Sequence, residues 1–278
     1  MFERSWRLTK LCASVLKNNP QLILFPLISS VATVMVIVLL VLPIFGVGAF
    51  GGATEEESSS ASLATLFLLY VSLYSVIIFF NVALVAAAMI HLDGDSPSVK
   101  AGIQVAMSKF ASILGYAIIA ATVGVVLFLI RDRRSFIWRL IAAGLDAGWT
   151  VATYLVVPAL VSRDIGPIDA IKESASLIKK TWGESFVGQT GVGLVFFLVY
   201  VLIVLCSIVL WAITPSIGNG WLTGWIITVA IAAVVIAMLA QSALTGIYSA
   251  ALYRFAKTGS SSIGFDVDVL KAAFETKN

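Results

Sequence analysis

Residues 186–214 read FVGQTGVGLVFFLVYVLIVLCSIVLWAIT, a stretch without a single Asp, Glu, Lys or Arg. About 20 helical residues cross a hydrocarbon core about 30 Å thick, so this segment alone is long enough to span a bilayer. It is apolar all round, whereas a helix of a water-soluble domain keeps a polar face. It is far longer than the roughly ten-residue alternating strands of a membrane barrel. In lipid the backbone must satisfy its own hydrogen bonds, and a continuous apolar run of this length does so as a helix.

Five further windows read the same way, at Leu22–Phe50, Leu63–Ile90, Phe110–Ile130, Phe136–Val161 and Trp221–Tyr253. Hydrophobic residues make up 60% of the chain and charged residues 12%, with a mean hydropathy of +1.02, which excludes water as the solvent for most of the surface. The expected fold is all-α: a polytopic transmembrane helical bundle of about six spans, arranged as three hairpins with short amphipathic interfacial helices. One integral membrane domain covers 1–278, with hairpin units at about 1–90, 91–161 and 162–258 and a short amphipathic tail at 259–278.

Arg4, Arg7, Lys10 and Lys17 precede span 1 against a single acid, Glu3. Basic residues mark the cytoplasmic side of a span, so the expected location is the cell membrane, multi-pass, with both termini cytoplasmic. The first apolar run exceeds the 7–15 residues of a cleavable signal core, and span 1 is expected to stay uncleaved. Lys100 and Lys109, then Arg163, Lys172, Lys179 and Lys180, then Arg254, Lys257, Lys271 and Lys277 fall on the same side. The opposite side holds Glu55, Glu56 and Glu57, an uncharged turn at 215–220, and one conflicting basic turn, Arg131-Asp132-Arg133-Arg134 followed by Arg139. Either this turn lies outside against the usual bias, or spans 3 and 4 form a shallow hairpin covered by protein.

Each hairpin has a basic lead-in of helical period. In Arg163–Gly183, Ile168, Ile171, Ala175, Ile178 and Trp182 recur at 3 and 4, with Pro167 suited to the first turn and Gly183 to the end. Val99, Ile103, Ala106 and Phe110 repeat the rhythm after Pro97, and Phe2, Trp6, Ala13 and Leu16 do so more weakly. Val267, Leu270 and Phe274 make a last short stripe. The expectation is an interfacial placement, apolar face toward lipid, with Arg163, Lys172, Lys179 and Lys180 facing anionic headgroups; packing on the inner end of the bundle is the alternative. Trp182, Trp211, Trp221 and Trp225 are placed to anchor span ends.

Ser5-Trp6-Arg7-Leu8, Gly166-Pro167-Ile168-Asp169-Ala170-Ile171-Lys172 and Lys179-Lys180-Thr181-Trp182-Gly183 resemble an uncharacterised family of prokaryotic six-span membrane proteins of unknown function. Gly-Pro, Ala-Ile, Ser174, Leu177 and Trp182 are also loosely similar to the membrane domain fused to some glycerophosphodiester phosphodiesterases. The resemblance implies a membrane domain with no active site to carry over, and the chain has no room for a phosphodiesterase catalytic domain.

Polar residues within spans define the candidate intramembrane site: Asp146, Arg139, Asn81 and Gln241. Asp146 lies near the middle of span 4 inside Gly144-Leu145-Asp146-Ala147-Gly148, where a charge costs about 2.5–3.5 kcal/mol on insertion scales. Arg139, seven residues earlier on the same face, is placed to reach toward it. Asn81, Gln189 and Gln241 are expected to hydrogen-bond neighbouring helices. Gly144 with Gly148, and Gly220 with Gly224, form faces that let helices approach closely. Pro43 and Pro158 are expected to kink spans 1 and 4.

His91-Leu92-Asp93-Gly94-Asp95 holds the only histidine, and three adjacent ligands read as a solvated turn rather than a metal site. Cys12 and Cys206 make neither a disulfide framework nor a metal spacing. No nucleotide loop, carboxylate pair or nucleophile constellation is present, so no cofactor and no nucleic acid is expected. The leading expectation is a non-enzymatic scaffold or subunit of a membrane assembly, in contact with the lipid bilayer and forming a homo-oligomer or binding a partner membrane protein. The alternative is a transporter or channel for a small solute, ion or lipid, using the polar interior around Asp146.

Overall fold

The computed structural model describes residues 2–50, 55–131, 135–181, 191–217 and 220–258. Every regular element among them is helical: α1 (Phe2–Asn18), α2 (Leu24–Phe50, entered by a 3-10 turn at Pro20–Ile23), α3 (Glu55–Leu92), α4 (Val99–Ser108) and α5 (Phe110–Arg131). Then come α6 (Phe136–Thr153), α7 (Val156–Ser162), α8 (Pro167–Thr181), α9 (Gly191–Ile217) and α10 (Gly220–Thr258). Among the described residues, six helical segments are long and apolar enough to cross a membrane, the α6–α7 pair counting as one and the pair α5 and α6–α7 both qualifying. The chain is an all-α bundle of six candidate spans. The tail at 259–278, Trp182, Gly183, Gln189 and residues 132–134 lie outside the described residues.

The centre is α3, which packs on α2, α4, α5, α7 and α10. Its segment Val82–Ala88 is buried on all sides, and the facing part of α10 is equally small: Ala243, Gly246, Ala250 and Ala251. A Cβ on Gly246 would stand 2.5 Å from Leu84 Cδ2, so glycine there is what lets α10 close on α3. A Cβ on Gly102 would stand 2.4 Å from the Ala83 carbonyl oxygen, and α4 therefore rests directly on the α3 backbone. α3 ends at Leu92 and turns through Gly94 at φ 98°, a left-handed conformation natural to glycine. Ser98 Oγ then accepts the Ala101 N–H at 3.1 Å and caps α4.

The break between α6 and α7 follows from Pro158. Proline has no N–H to give the carbonyl of residue 154, and its ring crowds that carbonyl. The helix stops at Thr153, Tyr154 N–H tightens onto Val151 O at 3.2 Å, and Leu155 N–H loses its partner four residues back. Ser174 Oγ, fully buried on α8, accepts that N–H at 3.0 Å. The kink expected at Pro158 is present as a break in the span.

The three amphipathic lead-ins form helices α1, α4 and α8, and each docks a face on the bundle. The buried face of α8 is Ala170, Ser174 and Ile178. Of the described part of the stripe read from the sequence, only Ile178 is buried, and Ile168 is 58% exposed. Small side chains hold the docked face because α8 must come close enough for Ser174 to reach Leu155. Lys172, Lys179, Lys180 and Arg163 lie on the exposed side. In α4 the buried residues are Gly102 and Ala106, with Val99 and Ile103 at the margin and Phe110 exposed. In α1 from residue 9 onward they are Thr9, Cys12 and Val15, while Ala13 is exposed; the side chains of Phe2 and Trp6 lie outside the described residues.

Candidate functional site

The four residues read as one intramembrane site separate into two places. Asn81 on α3 and Gln241 on α10 come together in a pocket of about 380 Å³ between α3, the α6–α7 break and α10. Val85, Tyr154, Val157, Met238, Ser242, Thr245, Gly246 and Ser249 complete its wall. Tyr154 lines the pocket from the tightened turn between α6 and α7, and Gln241, Thr245 and Ser249 recur every four residues on one face of α10. No charged side chain lines this pocket.

Its polar groups are unevenly satisfied. Gln241 Oε1 accepts the Tyr200 hydroxyl of α9 at 2.6 Å, and Ser249 donates to the Gly246 carbonyl at 2.9 Å. The Asn81 amide and the Ser242 and Thr245 hydroxyls have no hydrogen-bond partner among the described residues, and neither has the Gln241 amide nitrogen. Ser75, Thr122, Thr153, Ser207 and Thr228, by contrast, each turn back onto a carbonyl of their own helix. Polar groups removed from water and left unpaired cost about 1–3 kcal/mol each, so such a cluster is a demand for a ligand or for water.

Asp146 lies elsewhere, and its partner is not Arg139. Arg131 Nη2, from the end of α5, donates to Asp146 Oδ2 at 2.7 Å, while Arg139 meets no acid among the described residues. Arg139 precedes Asp146 on one helix, but the α5–α6 hairpin brings Arg131 across from the neighbouring helix. Tyr74 of α3 lies within electrostatic reach of Asp146 and two turns, about 10 Å, from Asn81. The Asp146 side chain is 46% exposed and turns toward α5, whereas Gly144 and Gly148 lie on the opposite, outward face of α6. A Cβ on either glycine meets nothing within 4 Å.

A third polar assembly ties the end that carries α1, α4 and α8. Glu173 accepts from Arg163 at 2.9 Å and from the Tyr253 hydroxyl at 2.7 Å. Lys109 donates to Asp164 at 2.8 Å and to the Arg163 carbonyl at 3.0 Å, holding the Asp164 carboxyl below its usual range through that hydrogen bond and charge. Ser112 donates to Ile165 O at 3.2 Å, Arg254 pairs with Asp93, and Gln21 donates to the Pro97 carbonyl. His91 Nδ1 meets the Asn19 amide at 3.4 Å, so the His91–Asp95 turn is engaged in fastening helix ends. Burial pushes the Cys12 thiol up to about 12, which leaves it unreactive.

Sequence reasoning missed Tyr154, Ser242, Thr245, Ser249 and Arg131. The fourfold spacing of Gln241, Thr245 and Ser249 was the signal for the pocket.

The profile of DUF6159, a family of unknown function, matches residues 60–265. The chain belongs to this family. The matched region runs from the start of α3 past the end of α10 and contains both the polar pocket and the Arg131–Asp146 pair. No curated protein and no solved structure matches the chain, and the likeness to the glycerophosphodiester phosphodiesterase membrane domain is carried by none of these comparisons.

Proposed function

We propose that this protein is a non-enzymatic integral membrane subunit that works by associating with a second copy of itself through α6. The observation that carries the reading is the outward Gly144–Gly148 face of α6, where a Cβ on either glycine meets nothing within 4 Å. The Arg131–Asp146 pair on the opposite side of α6 fastens it to α5 and leaves this outward face unpartnered among the described residues. Two small residues one turn apart let a partner backbone approach closely. The proposed setting is the cell membrane with both termini cytoplasmic, supported by the basic residues that precede α2 in the sequence. Exposed Arg163, Lys172, Lys179 and Lys180 are then placed to meet anionic lipid.

The test is the stoichiometry of full-length protein in lipid nanodiscs and by crosslinking in native membranes. Self-association that weakens in Gly148→Leu, with folding retained, supports the reading. A monomer at every protein-to-lipid ratio removes it.

A second reading, passage of a small solute or lipid, is favoured by the broken α6–α7 span beside a polar pocket, since discontinuous spans line many transport sites. Flux or lipid exchange in proteoliposomes that stops in Asn81→Val supports it, and no movement above protein-free vesicles rejects it.

A further inference from the structure

The polar pocket and an apolar groove share a wall residue. Met238 lines the pocket and also the end of a groove of about 550 Å³ between α9 and α10, whose walls include Ile203, Ile208, Trp211, Ile227 and Val234. A head-sized polar recess beside a hydrocarbon-lined channel is the shape of a bound amphiphile. We propose that this composite site binds one neutral glyceride lipid, its uncharged head among Asn81, Gln241, Ser242 and Thr245 and one acyl chain along the α9–α10 groove.

The chemistry of the head follows from the open groups. With one bond to Gln241 Oε1 made by Tyr200, Gln241 keeps its two N–H donors and a second acceptor site, and Ser242 and Thr245 each add a hydroxyl that donates and accepts. Asn81 offers both a donor and an acceptor. A head rich in acceptor oxygens with one hydroxyl of its own matches that set, and a glyceride supplies ester carbonyls together with a free hydroxyl. A charged head does not match. No lining side chain carries charge, and an unpaired ion at this depth is expensive. The recess lies within the small-molecule range of about 300–1,000 Å³. Its position also suits a small uncharged head, because Val157 is one to two turns from the end of α7 and Asn81 about three turns from the end of α3. A head bound there lies roughly 8–16 Å inside those helix ends and would lose its water. The proposal is independent of whether two copies associate through α6, since pocket and groove lie on α3, α7, α9 and α10.

The experiment uses the full chain in phosphatidylcholine nanodiscs doped with dioleoylglycerol, with phosphatidylglycerol of the same acyl chains, or with ubiquinone. Free glycerol is added to a fourth, undoped sample. Bound lipid is read by native mass spectrometry, and a photoactivatable diacylglycerol maps the contact. The expected result is one diacylglycerol per chain, crosslinked to α9 or α10, and its loss by about tenfold or more in Gln241→Leu. Ser242→Ala and Thr245→Val remove only an unpartnered hydroxyl, keep the fold, and each weaken binding several-fold. They keep the test decisive if Gln241→Leu, which also strips Tyr200 of its partner, fails to fold. Equal retention of phosphatidylglycerol overturns the uncharged head, and preference for ubiquinone overturns the glyceride. Binding of free glycerol as strong as that of diacylglycerol overturns the groove's part. No bound probe, or binding unchanged in all three variants, overturns the proposal outright.

Discussion

The two ends of the bundle are built differently. At the end that carries α1, α4 and α8, glycine and alanine let helices touch backbone to side chain, and Glu173, Lys109, Arg254 and Gln21 tie separate elements together. Toward the other end, α2, α6, α9 and α10 turn large apolar side chains outward: Val34, Leu39, Phe136, Leu140, Leu202, Trp211, Trp225 and Ile231 are all exposed. There a single described ion pair, Arg131–Asp146, joins two helices. Dispersion between close-packed helices and hydrogen bonds between them hold the first end, because lipid removes most of the hydrophobic drive for helices to associate. The second end is left to whatever surrounds it, lipid or protein. Identity of fold is stored at one end, and capacity for contact at the other.

The same substitution made at both ends tests this most sharply and has the largest expected effect. Gly102→Ala drives a Cβ to 2.4 Å from the Ala83 carbonyl oxygen, so α4 must lift from α3 at a cost of about 3 kcal/mol or more. Gly148→Ala meets nothing within 4 Å and gains about 0.5–1 kcal/mol from helix propensity. Thermal unfolding in detergent should fall well below the parent for the first and sit at or slightly above it for the second. Equal melting of the two variants breaks the comparison.

Next in size are the ties. Ser174→Ala removes the only described acceptor of the Leu155 N–H at the α6–α7 break and should cost about 1–3 kcal/mol. Glu173→Ala should cost a similar amount, since it strips both Arg163 and Tyr253 of an acceptor. Combining Glu173→Ala with Tyr253→Phe should be less damaging than the sum of the two, because they share one hydrogen bond. Full additivity in thermal denaturation would show that the bond contributes nothing.

What the sequence could and could not reveal divides along similar lines. Span positions were legible because one-dimensional length and hydropathy decide them, and the break at Pro158 because proline's effect is local. Contacts between helices were not. Counting along one helix pairs Asp146 with Arg139, whereas the hairpin turn puts Arg131 within reach. The α8 stripe was read by tracking large apolar residues, while the docked face carries Ala170 and Ser174, chosen for closeness and for the orphan N–H of Leu155. Asn81 and Gln241 stood out as amides in apolar helices. Ser242 and Thr245 did not, since hydroxyls in such helices ordinarily bond their own backbone.

Cys12 and Cys206 contrast the ends chemically. Cys12 is buried and neutral to about 12, and Cys206 lies exposed on α9. Cys12 should resist a water-soluble maleimide in the folded protein at pH 8 and react once the protein is unfolded. Its folded value lies above the ordinary thiol value of 9.0, so burial of the neutral thiol supports the fold fully below pH 9. That support is lost as pH rises from there toward 12, because only the unfolded thiol ionises. Labelling of the native protein at Cys12 would show that α1 leaves the bundle.

The smallest effect belongs to Asp164, at the fastened end but on its solvent side. Lys109 depresses its carboxyl through a hydrogen bond and charge. A carboxylate with a lowered folded value stabilises the fold above its unfolded value and loses that contribution as pH falls through the folded one. Asp164 is fully exposed, so solvent and salt screen the pair. The same lysine nitrogen also holds the Arg163 carbonyl, which does not titrate. Asp164→Asn should therefore flatten the acid limb of the stability profile slightly and leave neutral stability almost unchanged. Lys109→Met should lower stability across the whole range, because it leaves the Ser112 bond alone to hold the α7–α8 turn. If both variants behave alike, the charge rather than the backbone contact fastens this corner, and the rigidity of this end rests on fewer ties than its packing implies.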